Sequence, residues 1–422
     1  MTPMSHVGPK RSYIDELNGL RCIAILSVLA SHFRPPNSPA WTWLSLGWVG
    51  VDLFFVISGY LITNILLDLR TDSHPYRTFY ARRILRIFPL YYLYLLIVML
   101  AVRGNVYWFS MLRAAAFLSS VSLYPLAAVW GHLIHHAPFI TQGLPIRDHM
   151  AAYADDGLTM IWSLSVEELF YLLWAPVVLR GSQKFITYCA IIPILLCPVL
   201  RLMGHTQEFG EYSQFLFRVD ALLFGAAVAL LFSAVKQGRL NGAQLDRWIG
   251  AALWMAPLLL LVLVWHAGVF RNIELRSAYS FAIFGYSLCG IFFAAFLAWC
   301  IRNAGSSGIV SRNLRHPAIT YIGRISYGMY LIHIYAFLAV LKLARHMWGS
   351  AWQPGIGCAL IALLLAIGLA SISWRYMEVP ILSLKERYFP SPAEVPAVAV
   401  LLPVPVLDFP MAYAQDAVRK AG

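Results

Sequence analysis

Two ionisable residues in the first apolar stretch of the chain have a spacing that places them on one helical face. Arg21 and His32 would lie about three helical turns and about 16 Å apart along the axis. An ionisable group in an apolar segment is a functional candidate by default. His32 is therefore a candidate for catalysis. A histidine that only bonds a neighbouring helix is the alternative.

A second polar pattern begins later in the chain. Ser163, Glu167 and Tyr171 recur at four-residue intervals, so they share one face of a helix, and Glu168 lies about 100° away. A carboxylate on such a stripe is suited to proton handling or to orienting a histidine. The spacing indicates Glu167 as a functional residue and Ser163 as a supporting one.

The segment 50–59 adds a carboxylate and a small hydroxyl residue. Ser58 and Gly59 permit close helix approach, as small residues do in membranes. Asp52 could pair with His32 or Arg34 across the first loop, and simple placement at a helix end is an equal alternative. We interpret Asp52 and Ser58 as supporting residues.

A cluster of arginines follows the second apolar stretch. Arg82 and Arg86 are one helical turn apart with Arg83 beside them, so their guanidinium groups are suited to binding phosphate oxygens. The alternatives are charge that sets topology or binding of anionic lipid head groups.

Other candidate groups have weaker patterns. His132, His135 and His136 have a spacing that could bind zinc, but no acidic or thiol ligand accompanies them, so we predict no metal. The six cysteines show no CxxC spacing and are interpreted as packed thiols. The remaining ionisable residues of the apolar segments are interpreted as mainly structural: Arg218, Asp220, His333 and Glu378.

The amino-acid composition indicates the class of protein that contains these groups. Of 422 residues, 60% are apolar and 12% charged, against roughly 45–50% and about 25% in soluble domains. This excludes a soluble enzyme. The net charge of +12 comes without basic runs interleaved with aromatic residues, so it indicates positive cytoplasmic loops and membrane lipids rather than nucleic acid.

The apolar runs predict an all-α, polytopic membrane protein with ten spans, near 17–35, 46–68, 87–102, 161–179, 185–203, 214–234, 249–270, 278–301, 325–345 and 354–374. The positive-inside rule makes both termini cytoplasmic only if the apolar stretch 108–129 does not cross, so we expect it to be re-entrant or interfacial on the outer side. An eleventh crossing is the alternative. Residues 1–388 would form the membrane domain, followed by a proline-rich, mobile cytoplasmic tail over 389–422.

The motifs, in this order, resemble the integral-membrane acyltransferase-3 family, whose members O-acylate surface glycans, lipids and some antibiotics. The resemblance rests on Gly19-Leu-Arg21 with His32, and on segments 50–59, 79–89, 162–168, 217–225 and 325–333. Asn18 stands where many members have Asp. The resemblance implies ten spans, essential Arg21 and His32, and an arginine cluster that serves an acyl-CoA donor.

The expected activity is transfer of an acetyl group from cytoplasmic acetyl-CoA, a co-substrate, to a hydroxyl of an extracytoplasmic carbohydrate or glycolipid, in a bacterial cytoplasmic (inner) membrane. Arg82, Arg83 and Arg86 would bind the donor phosphates, Arg21 would hold the pantetheine or a pyrophosphate oxygen, and Glu167 would orient or reprotonate His32. No bound cofactor is expected. A transporter or flippase of a lipid-linked sugar is the alternative, although the chain lacks the paired halves typical of transporters.

Overall fold

A computed structural model describes residues 14–33, 44, 46–101, 108–121, 158–204, 213–266, 280–349 and 355–389. Within these ranges the chain is helical and contains no strand. The helices are α1 (Glu16–Phe33), α2 (Gly50–Leu69), α3 (Pro75–Ala101), α4 (Trp108–Ala115), α5 (Trp162–Arg180), α6 (Gln183–Gly204), α7 (Phe215–Lys236), α8 (Gly242–His266), α9 (Tyr286–Arg302), α10 (Ile309–Leu314), α11 (Pro317–Arg324), α12 (Ser326–Trp348), α13 (Ile356–Ser373) and α14 (Val379–Tyr388). Five-residue π-helical turns, Phe281–Gly285 and Trp374–Glu378, precede α9 and α14.

Nine helices in the described part of the chain are long and apolar enough to cross a membrane. They correspond to nine of the ten predicted spans, which confirms an all-α polytopic membrane protein. The remaining predicted span is α1, an 18-residue helix that is not among the nine. Its polar residues, which include Glu16, Asn18, Arg21 and His32, lower its mean hydropathy. Large apolar side chains on the outside, such as Trp254 and Trp265 of α8, are exposed as a lipid-facing surface requires.

The segment 108–129 contains one short helix in its described part. α4 has only eight residues, well below the roughly 20 that a span needs. After it, Phe117 has a positive φ of 54°, and the Arg113 guanidinium donates to the carbonyl oxygens of Leu118 and Val121 at 3.1 and 2.6 Å. The helix therefore ends in a turn, and the described residues 108–121 contain no helix long enough to span a membrane. Residues 122–129 and the tail beyond 389 lie outside the described residues, as do His132, His135 and His136.

Helices α2 and α7 pack closely because glycine lies at each side of their crossing. A Cβ atom at Gly59 would overlap the carbonyl oxygen of Leu222, and one at Gly225 would overlap that of Val56. Small residues at such a crossing let two backbones approach and gain van der Waals contact where lipid supplies no hydrophobic driving force. This contact fixes Ser58, one residue before Gly59, at the centre of the bundle.

The first turn of α1 contacts the loop after α9 and helices α10 and α11. The Glu16 carboxylate accepts hydrogen bonds from Ser311 Oγ at 2.6 Å and from the backbone N–H of Gly305 at 2.9 Å. A Cβ atom at Gly323 of α11 would overlap the carbonyl oxygen of Asn18. These contacts fix the helix that carries Arg21 and His32.

Buried ion pairs join α2, α6, α7 and α9. Asp52 accepts from Arg218 at 2.5 Å, and both side chains are fully buried. Arg201 donates to Asp220 at 2.9 Å, and Ser287 donates to the same carboxylate at 2.6 Å. The proposed pairing of Asp52 with His32 is wrong, because α7 packs on α2 and supplies Arg218 as the partner. Arg34, the other suggested partner, lies outside the described residues. The structural interpretation of Arg218 and Asp220 agrees with this network.

Candidate active site

A cavity of about 100 Å³ lies between α1, α2, α3, α5 and α12. Its charged and hydroxyl lining residues are Arg21, Ser58, Arg83, Arg86, Ser163, Glu167, Tyr171, Ser326, Tyr327 and Tyr330. The structure thus brings together six residues singled out from the sequence, from four separate helices: Arg21, Ser58, Arg83, Arg86, Ser163 and Glu167. Convergence of charged and hydroxyl groups on one internal cavity is what a binding or catalytic site requires.

Glu167 lies at the centre of the polar wall. Its Oε1 accepts a hydrogen bond from Ser58 Oγ at 2.9 Å, and its Oε2 accepts one from the Tyr171 hydroxyl at 3.1 Å. Arg21 and Arg83 lie close enough to interact with its charge. The four-residue stripe therefore faces the cavity as its periodicity predicts, and two hydroxyl groups donate to the carboxylate.

A pair of hydroxyl groups, from Ser163 and Tyr330, also lines the cavity. Ser163 Oγ and the Tyr330 hydroxyl are 2.6 Å apart, and the Tyr330 hydroxyl also donates to the Met160 carbonyl oxygen at 2.8 Å. This bond joins α5 to α12 across the bundle. Tyr330 was predicted only as part of a motif, and its four-residue register with Ser326 is the signal that marks a shared face toward the cavity.

His32 lies outside the set of residues that line the cavity. Its Nδ1–H donates to the Val28 carbonyl oxygen at 2.9 Å, because a carbonyl oxygen can only accept. That bond assigns the proton to Nδ1 and leaves Nε2 as the basic nitrogen of the neutral ring. Both carboxylate oxygens of Glu167 accept from Ser58 and Tyr171 rather than from His32. Orientation or reprotonation of the imidazole by Glu167 stays a prediction.

The neighbour of His32 is a second histidine. The His333 ring lies 5.1 Å from the His32 ring and 5.7 Å from the Tyr330 ring, centroid to centroid. His333 is fully buried, and its Nδ1–H donates to the Tyr330 carbonyl oxygen at 2.6 Å. His333, interpreted from the sequence as mainly structural, therefore lies next to His32, the candidate base. Tyr330 contacts His333 and also lines the cavity.

The three arginines divide between two surroundings. Arg83 and Arg86 line the cavity, and the Arg83 guanidinium lies over the Tyr171 ring at 5.7 Å. Arg82 is buried and donates to the carbonyl oxygen of Phe389. The end of α14 thus supplies a contact for Arg82 that the sequence pattern does not predict. All three nevertheless line one smaller void described below.

Side chains that could bind a metal ion do not cluster in the described part of the chain. No cluster of three or more His, Cys, Asp or Glu side chains in these ranges could hold a metal ion. The six cysteines are free thiols, five of them buried.

Residues 14–375 match the acyltransferase domain. The chain belongs to the acyltransferase-3 family. The match covers nearly the whole membrane region, including every residue named above from Arg21 to His333.

Three curated relatives of this acyltransferase-3 chain are O-acetyltransferases by name. A putative peptidoglycan O-acetyltransferase, YrhL, of Bacillus subtilis (strain 168) is 26% identical over 398 residues, which are 90% of this chain and 56% of the relative. The peptidoglycan O-acetyltransferase OatA of Listeria monocytogenes is 24% identical over 383 residues, 88% of this chain and 56% of the relative. A putative O-acetyltransferase of Staphylococcus aureus (strain COL) is 26% identical over 387 residues, with 88% and 58% covered. The chain therefore spans a little over half the length of these relatives. No solved structure matches it.

Proposed function

We propose that the chain is a membrane-embedded O-acyltransferase that moves an acetyl group from cytoplasmic acetyl-CoA to a hydroxyl of an extracytoplasmic glycan or glycolipid. The single observation that carries this proposal is the cavity in which Arg21, Arg83 and Arg86 meet Glu167 and the Ser163–Tyr330 hydroxyl pair. Membership of the acyltransferase-3 family and the names of the relatives support it. Those names favour a peptidoglycan-like surface glycan over lipopolysaccharide as acceptor.

The donor end of the cavity is its arginine wall. Guanidinium groups bind phosphate oxygens through two parallel hydrogen bonds, and they keep their charge when buried. Arg83 and Arg86 line this wall, so the donor phosphates would lie there and the pantetheine arm would extend between α2 and α5. Arg21, across the cavity, would bind the arm or a pyrophosphate oxygen.

The transfer step uses the basic Nε2 of His32. This nitrogen takes the proton of the acceptor hydroxyl, the hydroxyl oxygen attacks the thioester carbonyl carbon, and a C–O bond forms as the C–S bond breaks. The coenzyme A thiolate leaves and recovers the proton from the imidazolium. Brief transfer of the acyl group to His32 itself is the alternative. In either case the acyl group would move from the cavity toward the histidine pair near Tyr330, which lines the cavity and lies 5.7 Å from the His333 ring.

Glu167 would stabilise positive charge and handle protons within the cavity. Held by Ser58 and Tyr171, its carboxylate would attract the charges of Arg21 and Arg83. Its effect on His32 would therefore be electrostatic and through positioned groups rather than through a direct hydrogen bond. Asp52 would support the site from a distance by fixing α2 against α7.

The proposed location is the bacterial cytoplasmic membrane, with both termini in the cytoplasm. The support is the distribution of Lys and Arg between alternate loops. In this orientation Arg82, Arg83 and Arg86 belong to the cytoplasmic half, where acyl-CoA is available. The segment after α4 belongs to the outer side, where a glycan acceptor arrives.

Release of free thiol from acetyl-CoA tests the proposal. Purified protein in vesicles, given acetyl-CoA and a soluble oligosaccharide of N-acetylglucosamine, should release thiol and form an acetyl ester at a rate that His32→Ala abolishes. His346→Ala, an exposed histidine at the end of α12, is the matched control and should keep wild-type activity. Absence of thiol release from folded wild-type protein would contradict the proposal and favour a transporter.

The arginine assignment has its own kinetic test. Lysine cannot copy a bidentate phosphate contact, and such a contact contributes roughly 1.5–3 kcal/mol. Arg86→Lys should therefore raise the KM for acetyl-CoA about 10- to 150-fold and leave the acceptor KM unchanged. Arg312→Lys, exposed on α10, is the control. An unchanged donor KM in folded Arg86→Lys would refute the assignment.

A further inference from the structure

The end of α14 packs on the basic part of α3. The Arg82 guanidinium donates to the carbonyl oxygen of Phe389, and the Arg77 guanidinium lies over the Phe389 ring at 5.7 Å. Lys385, one turn before Phe389 on α14, accepts the Phe389 backbone N–H at its carbonyl oxygen, 3.0 Å away. These contacts place Lys385 beside the arginine cluster.

Four cations and two apolar residues line a small void at this junction. They are Arg82, Arg83, Arg86, Lys385, Ile65 and Phe79. No carboxylate belongs to this lining within the described part of the chain. Arg82 and Arg86 lie close enough to Arg83 for their charges to repel, and the Glu168 carboxylate and the Tyr171 hydroxyl lie close enough to Arg83 to offset part of that repulsion. A site of this kind is stabilised when an anion occupies it.

The void shares a wall with the candidate active-site cavity. Arg83 and Arg86 line both spaces, so a phosphate held between Arg82 and Lys385 would lie directly behind the donor end of the cavity. The void is about 10 Å³, about enough for one water molecule. A phosphate enters only if a side chain moves, and Lys385, partly exposed and flexible, is the member able to do so.

We propose that Lys385 completes, with Arg82, Arg83 and Arg86, a site for a phosphate group of the acyl-CoA donor. The inference rests on the proposed function and adds to it a residue of α14, beyond residue 375 where the family match ends. The same four cations suit the phosphate of an anionic lipid head group, so the chemistry recognised is a phosphate and the experiment must identify its source. Continuity with the donor cavity favours the donor.

Donors with and without phosphate test the role of Lys385. Lys385→Gln should raise the KM for acetyl-CoA about tenfold with little change in kcat, and Lys385→Arg should restore most of the affinity. With acetyl-pantetheine, which carries no phosphate, Lys385→Gln and wild type should have the same KM. Lys342→Gln, an exposed lysine on α12, should match wild type with both donors.

Three results would overturn the inference. An unchanged acetyl-CoA KM in folded Lys385→Gln would remove Lys385 from the site, and an equal loss with both donors would make its role structural. A wild-type activity that depends on the phosphatidylglycerol content of the vesicles, lost in Lys385→Gln while the donor KM is intact, would assign the site to lipid.

Binding of coenzyme A separates this inference from the proposed function. If wild type binds coenzyme A but transfers no acyl group, the proposed function fails, and about tenfold weaker binding by Lys385→Gln still supports the phosphate site. Equal binding of coenzyme A by wild type and Lys385→Gln overturns the site whatever the activity.

Discussion

Loss of one partner of the buried Asp52–Arg218 pair should destabilise the bundle strongly. The two side chains are 2.5 Å apart and fully buried, so Asp52→Asn leaves the Arg218 charge without its counter-ion. Breaking such a pair costs about 3–5 kcal/mol. The Arg218 guanidinium also lies over the Tyr286 ring at 4.2 Å, and this cation–π contact, about 2 kcal/mol when desolvated, would remain. We therefore expect the lower end of the range, about 3 kcal/mol.

The exposed pair Arg302–Asp246 provides the control for this measurement. It has a comparable distance, 2.6 Å, but its side chains are 38% and 47% exposed, so Asp246→Asn should change stability little. The assay is unfolding of each purified variant in mixed micelles by titration with dodecyl sulfate, followed by circular dichroism. The double variant Asp52→Asn with Arg218→Met should recover part of the loss, because no buried charge is left unpaired. An equal change in unfolding free energy in Asp52→Asn and Asp246→Asn, each relative to wild type, would refute the reasoning.

Three further outcomes follow from the packing, the cavity and the topology. Gly59→Ala should lower the unfolding free energy by about 1–3 kcal/mol, because the added Cβ atom meets a backbone carbonyl oxygen. Gly250→Ala is the control and should be neutral in the same titration, because the space around Gly250 is open. Glu167→Gln should lower kcat by about 100-fold or more while the protein stays folded; wild-type kcat in steady-state kinetics would show that the carboxylate has no catalytic effect. Single cysteines replacing Gly143 and Asp156 should both react with an impermeant thiol reagent in intact cells, and reaction of either only after lysis would reverse the assigned side of the outer segment.

The sequence was sufficient to predict which side chains of a single helix share a face. Apolar runs of about 20 residues fix where helices form, because backbone groups in lipid must bond within their own segment. The stripe of Ser163, Glu167 and Tyr171 faces one cavity because a four-residue interval keeps side chains on one face. Such regularities depend on local geometry alone.

Partners from different helices could not be predicted in this way. Asp52 pairs with Arg218, and His32 contacts His333, because α2 meets α7 and α1 meets α12 in the folded bundle. Helical periodicity gives the face of each residue but not the neighbour of that face. The contact of Arg82 with Phe389 was missed for the same reason, since the two residues are distant in sequence.

Transfer of an acetyl group across a sealed membrane tests the central claim most directly. Protein is reconstituted into vesicles that enclose an oligosaccharide of N-acetylglucosamine, and acetyl-CoA is added outside. The account predicts acetyl esters on the enclosed sugar in wild-type vesicles, made by the molecules whose arginine face is outward, and none with His32→Ala. Hydrolysis of acetyl-CoA without acetylation of the enclosed sugar, or acetylation only when donor and sugar share one side, would contradict it.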